Sequence, residues 1–193
     1  MNLRQDDQLM TTSSPLITTD RLTLRYFDET KEKSIFFEYR NDKDNNKYQG
    51  WPHPFTKKHL DDFFISMKDR DITIIGEWIQ IALVENDSGI LIGDCACNND
   101  GQNVEIGITI RREYQRMGFA KEALIALFDI LFNQIKVHRI VALLDVDNIG
   151  SKMLMESLGM RQEGHHIKSY WDEKMNEWRD EYYYALLAEE NND

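Results

Sequence analysis

The chain is short of nearly everything that marks a metal, membrane or nucleic-acid protein. It has two cysteines, Cys95 and Cys97, whose i, i+2 spacing in a strand turns both thiols to one face and disfavours a disulfide between them. No second Cys or His pair completes a zinc pattern, so no metal is expected. The thiols read as small core or surface fillers in a reducing cytoplasm. No apolar run approaches the ~18 residues of a membrane span. The polar opening MNLRQDDQLMTTSSP lacks the apolar centre of a secretory signal, so a cytoplasmic location is expected. Positive charge is outnumbered, 23 Lys and Arg against 34 Asp and Glu. A formal net charge of −11 argues against nucleic acid and is compatible with a cationic small molecule or basic peptide. Neither GxxxxGK[ST] nor GxGxxG occurs, which removes the common nucleotide cradles.

What is present suits one globular domain: 193 residues, 41% hydrophobic and 30% charged, with no repeat or linker. The expected division is a loose tail over 1–15, a domain over 16–188 and a short tail over 189–193. RLTLRYF (21–27) alternates as a first strand. Asp28 caps a helix reaching Tyr39, and 41–54 is an Asn-, Asp-, Gly- and Pro-rich loop. Thr56 caps a second helix, with Phe55 and Leu60 at staple spacing. Strands follow at 77–85, 89–97 and 102–110, joined by NDSG and NNDG turns. Leu124, Leu127, Phe128 and Leu131 then mark a long amphipathic helix. HRIVALLDV (138–146) is apolar enough to be a central strand. A short helix (150–159) and strands at 160–171 and 177–188 complete a mixed α/β layer pattern.

REYQRMGFAKEA (112–123) stands out within that pattern. It joins a strand to a helix through Gly118, which permits backbone conformations closed to other residues. Helix N-termini present free N–H groups and a positive dipole end. Arg111, Arg112, Arg116 and Lys121 concentrate positive charge in an otherwise acidic chain. The stretch is either an anion cradle or a plain turn with solvated arginines.

QRMGFA (115–120) resembles the Q/R-x-x-G-x-G/A loop of the GNAT family of acetyl-CoA-dependent N-acetyltransferases. DNIGSKMLMESLGM (147–160) resembles that family's next motif, through Asn148, Ser151, Gly159 and Met160. TTDRLTLRYF, VEIGITI, VHRIVALLDVDN and EWRDEYYYALL are similar to the RimJ/RimL-like branch, which acetylates ribosomal-protein N-termini. The likeness runs in order over about residues 16–188. It implies an α/β (α+β) GNAT fold: one mixed, mostly antiparallel seven-stranded sheet, splayed between its fourth and fifth strands, with helices on both faces. It also implies acetyl-CoA as co-substrate, with its pyrophosphate on the Gln115, Arg116, Met117, Gly118, Phe119, Ala120 and Lys121 loop. The pantetheine arm would lie along the main chain of Ile108, Thr109 and Ile110, opposite Asn148 and Ser151. The main chain there would stabilise the thioester oxygen. The acceptor would be a small cationic amine or a protein N-terminus, and a homodimer is allowed.

Acetyl transfer needs a neutral amine. At pH 7 an α-amine costs roughly 1 kcal/mol to deprotonate and a lysine-like amine about 4–5 kcal/mol. Glu105, on the strand beside the expected thioester, is the base candidate, through a water relay; otherwise it is a strand-face carboxylate. Many GNAT enzymes carry an acid Tyr where this chain has Met155. By the branch resemblance Ser151 takes that role, unless it only caps its helix. Tyr48 and Trp51 are candidate acceptor walls, or packed loop aromatics. Tyr170 is a third candidate, on a strand face shared with His166 and Lys168. A catalytically silent acyl-CoA-binding module is the alternative from another functional class, with Met155 as its hint.

Overall fold

The computed structural model describes residues 14–191. The expected tails lie outside it over 1–13 and 192–193. Eight strands form one sheet in the order β1-β2-β3-β4-β5-β6-β8-β7. They are β1 Pro15–Thr18, β2 Leu22–Arg25, β3 Trp78–Glu85, β4 Leu91–Asn99, β5 Asn103–Ile110, β6 Arg139–Asp145, β7 Arg161–Asp172 and β8 Glu177–Leu187. Seven were expected. The extra one, β1, folds back on β2 with Ile17 opposite Leu24. Four residues are too few to show an alternating period, and a leading Pro, which has no N–H to donate, suits only a strand's start or edge.

Among the described strands only the β5–β6 pairing is parallel; the other neighbours are antiparallel. Four α-helices cover the sheet: α1 Glu29–Asn41, α2 Lys57–Met67, α3 Phe119–Asp129 and α4 Ile149–Ser157. The Asp28 side chain accepts from the Thr30 N–H at 3.0 Å. Thr56 forms a reciprocal capping box with His59. These bonds satisfy N–H groups that a helix start otherwise leaves bare. α3 continues as a π turn over Ile130–Ile135, stopped by Lys136 at φ 65°.

α3 and α4 bury one face of the sheet. Leu124, Leu127, Phe128 and Leu131 join Ile79, Ile81, Val104 and Ile140 in a single core. Cys95 and Cys97 belong to it as free thiols. Burial pushes both thiols up, Cys97 to about 12, which keeps them protonated and inert. α1 and α2 cover the other face with a second core, in which Phe36 stacks on Phe63 at 4.3 Å between ring centres.

Candidate active site

The site begins where the sheet stops being a sheet. β5 and β6 pair at only three positions, ending with Glu105 opposite Val141. Beyond that point β5 stays on β4 as far as Ile110, and β6 stays on β8 as far as Asp145. The two strands part. Backbone groups facing the gap need partners other than ladder bonds, so the opening is a natural seat for an extended ligand with amide groups.

The end of β5 is fixed from both sides. Gly93 of β4 lies so close that a Cβ there would stand 2.1 Å from the Thr109 carbonyl oxygen. The Thr109 hydroxyl accepts from Arg40 at 3.2 Å, and Arg40 pairs with Asp94 at 2.6 Å. Tyr39 donates to the other Asp94 oxygen at 2.7 Å. Both charged side chains are almost wholly buried, at 2% and 3% exposure. This clamp ties α1 to β4 and β5.

After β5 the chain makes a short 3-10 turn over Arg112–Tyr114, then reaches the cradle. Arg116 has φ 62° and Gly118 has φ 85°, both left-handed. For Arg116 that conformation costs about 1 kcal/mol or more. Among the described residues, the N–H groups of residues 116 to 121 have no acceptor. Of the four cations here, Arg112 pairs with Asp44 at 2.5 Å and Arg111 with Glu113 at 2.5 Å. Arg116 and Lys121 have no ion-pair partner among the described residues. Free N–H groups, a helix start and two unpaired cations fit the pyrophosphate of acetyl-CoA. Arg112, Gln115, Arg116 and Asp44 line a hollow of about 410 Å³ beside the loop.

Arg21 holds this cradle in shape, a role that residue-by-residue reading missed. Its guanidinium donates to Glu122 at 2.7 Å and to the Met117 carbonyl at 3.0 Å, and lies 4.4 Å from the Phe119 ring centre. Thr19 donates to the same Glu122 at 2.6 Å. The resemblance in TTDRLTLR was the available signal, and the geometry supplies its reason. Gln115 is also structural in part: its amide donates to Ile110 O at 2.8 Å and to Asn45 at 3.2 Å.

Across the gap, Asn148 is the N-cap of α4, accepting from the Ser151 N–H at 3.1 Å. Its amide N–H groups stay free, as does the Ser151 hydroxyl, among the described residues. Met155 is buried in the first core, at 3% exposure, and offers the cleft no proton.

The face of the sheet opposite α3 and α4 is open beyond β5. Asn98, Asp100, Asn103, Glu105, Arg139, Val141, Leu143 and Tyr183 line a hollow of about 480 Å³ there. Burial pushes the Glu105 carboxyl above the usual carboxylate range, and the charge of Glu181 adds to the rise. Tyr170 donates to Asp145 at 2.6 Å. Arg179 grips both oxygens of Asp145 at 2.9 Å. Burial alone would raise that carboxyl, but the bonds from Arg179 and Tyr170 outweigh it and hold Asp145 below its ordinary range. Tyr170 therefore belongs to a network steadying the turn between β6 and α4. Three residues, 167 to 169, bulge between His166, paired with Glu181, and Tyr170, paired with Arg179. Lys168, at φ 50° in that bulge, departs from strict alternation with its neighbours.

Tyr48 stands at the mouth, its hydroxyl donating to Asp147 O at 3.2 Å. Trp51 sits among Phe36, Phe55 and Phe63 with Arg40 over its ring at 4.2 Å, anchoring the loop in the second core. Between them Gln49, which the sequence did not single out, reaches Ile108 O at 3.3 Å.

A donor cradle, a parted pair of strands and a carboxylate at the fork can be set beside known proteins. An acetyltransferase (GNAT) domain pattern matches residues 21–161. The chain belongs to the GNAT acetyltransferase family. It is 34% identical over 180 residues to YnaD, an uncharacterised N-acetyltransferase of Bacillus subtilis, covering 91% of this chain and 99% of that one. A crystal structure of a GNAT-family acetyltransferase from Bacillus anthracis matches with a TM-score of 0.79 at 31% identity, over 90% and 99% of the two chains. A spermidine N-acetyltransferase from Vibrio cholerae, solved with CoA and spermine, shares the fold with a TM-score of 0.77 at 18% identity, over 90% and 99%. This GNAT chain is an acetyl-CoA-dependent N-acetyltransferase. Among the described residues no cluster fit for a metal ion occurs, and no helix is long and apolar enough to cross a membrane.

Proposed function

We propose that the enzyme moves the acetyl group of acetyl-CoA directly to a primary amine, with both substrates bound together. The observation that carries this is the fork at Glu105, where a carboxylate stands at the root of the opened strands. In this reading the pyrophosphate rests on the N–H groups of residues 116 to 121, and the pantetheine arm runs along Ile108 to Ile110. Main-chain N–H groups there meet the thioester oxygen as it gains charge. Asn148, free through its amide N–H, holds the arm from the α4 side.

Glu105 takes the amine's proton, directly or through water. Its raised pKa suits that work better than an ordinary carboxylate would, because a base is most effective near the working pH. The neutral nitrogen attacks the thioester carbon, a C–N bond forms and the C–S bond breaks. The proton the nitrogen then sheds is passed on by Ser151 or water to the departing thiolate, so the base keeps only the ammonium's first proton. Glu105 and Glu181, together on the open face, fit an acceptor that arrives as a cation. A small cationic amine and a protein N-terminus share that chemistry, and the RimJ/RimL-like resemblance favours the second. The buried reduced thiols accord with a cytoplasmic place of work.

The experiment is thiol release from acetyl-CoA with spermidine, an aminoglycoside and a short Ser-initiated peptide as acceptors. Acetylation of one or more, with the acceptor named by mass, is expected. Tight acetyl-CoA binding without thiol release from any amine would instead favour a silent acyl-CoA-binding module.

A further inference from the structure

The loop between α1 and α2 holds to every wall of the cleft. Asp44 pairs with Arg112 and Asn45 accepts from Gln115, both on the donor side. Tyr48 donates to Asp147 O, at the turn into α4. Gln49 donates through its amide to Ile108 O, on the freed length of β5. One side chain from far along the sequence pins this strap. Lys174, in the turn between β7 and β8, donates to Asn46 O at 2.6 Å and to Gln49 O at 2.5 Å.

Lysine ammonium groups are normally left in water, because burying one costs free energy unless acceptors replace the solvent. Partial burial pulls the pKa of Lys174 down, and the two carbonyl oxygens offset that cost. The ammonium is thus held where it fixes the main chain on both sides of Tyr48. Asn46 adds a second sign of an organised strap. It is 3% exposed, its amide donates to Arg40 O at 3.3 Å, and its side-chain oxygen has no partner among the described residues.

Gln49 has reach to spare. One N–H is used on Ile108 O, and the other N–H and the side-chain oxygen have no partner among the described residues. Its side chain therefore lies beside the carbon that must be attacked, if the donor arm follows β5.

We propose that Gln49 contacts the acceptor amine and sets its placement, and that Lys174 is the positioning residue that holds Gln49 there. The inference rests on the acetyl-transfer reading above and adds to it the acceptor-facing residue. Lys174 holds the strap at Asn46 and Gln49, the stretch that reaches Ile108, so its larger effect falls on the acceptor and its smaller one on the donor cradle that Asp44 and Asn45 touch.

The test uses the full chain, with the amine of the panel that turns over fastest. Gln49→Ala and Lys174→Met should each raise the KM for that amine about tenfold, and Q49A/K174M should be no worse than either alone, because one residue works through the other. Acetyl-CoA affinity, measured by calorimetry without acceptor, should change by clearly less than the amine KM does. Lys174→Arg keeps a cationic donor and should recover part of the loss. An unchanged amine KM in Q49A overturns the proposal, as does additivity of the two losses. A K174M enzyme that melts earlier but keeps its amine KM overturns the positioning role and leaves Lys174 a structural clasp. No thiol release by wild-type enzyme with any amine fails the acetyl-transfer reading itself, a result none of the variant outcomes can mimic.

Discussion

The halves of the cleft proposed for the donor and for the acceptor are built by opposite means. The donor half is one contiguous stretch, from the end of β5 through the left-handed Gly118 to the first turn of α3. Its chemistry is mostly backbone N–H. The proposed acceptor half draws single side chains from distant places: Gln49 from the strap, Glu105 from β5, Lys174 from a hairpin turn and Glu181 from β8. A ligand common to a family can be held by main chain and survive drift in side chains. A ligand peculiar to one enzyme must be read by side chains, and those can come from anywhere the fold brings together.

The two halves share one root, the buried Arg40–Asp94 pair with Tyr39 and Thr109. Breaking it should have the largest effect. Asp94→Ala leaves the Arg40 charge buried without its partner, a loss of about 3–5 kcal/mol. For a chain of this size that lowers the melting temperature by roughly 10 °C, which calorimetry would show. A loss below about 1 kcal/mol would mean the pair is not the joint between the halves.

Glu105→Gln strikes the acceptor half alone. The rate should fall about a hundredfold with a lysine-like amine, and less with an α-amine, which is easier to deprotonate. Acetyl-CoA affinity should hold. An equal loss with both amines would remove Glu105 from the base role.

Gly118→Val strikes the donor half. A branched side chain resists φ 85°, and a Cβ there meets Arg21 at 3.4 Å. The KM for acetyl-CoA should rise about tenfold, with the amine KM unmoved. Unchanged kinetics would sink the cradle assignment.

The unequal legibility of the halves follows from the same architecture. Helix caps at Asp28 and Thr56, the α3 stripe and the Gly118 turn are local, so spacing reveals them. The contacts of Arg21, Gln49 and Lys174 are not local. Arg21 meets Glu122 and Lys174 meets Asn46 only after the sheet has ordered its strands. Trp51 shows the limit from the other side: an aromatic in a polar loop suits a substrate wall and a core plug equally, and only packing against Phe36 and Phe63 tells where it sits.

The smallest effect, and the finest test of the acceptor half, concerns the charge of Glu181. A base works when deprotonated, so the acid limb of the rate profile follows the Glu105 pKa. Burial raises that pKa first and the Glu181 carboxylate raises it further. Glu181→Gln removes only the second cause, so the acid limb should move to lower pH while the plateau rate stays put. Stability carries the same sign. A carboxyl whose folded-state pKa is raised contributes stability that is present below its unfolded value and lost as pH rises through the folded value. E181Q should therefore lessen the fall in stability between mildly acidic and neutral pH, read by denaturant melts at both. An acid limb that does not move would mean that Glu181 does not tune the base, and that its place on the open face serves Ser169, which donates to it at 2.7 Å.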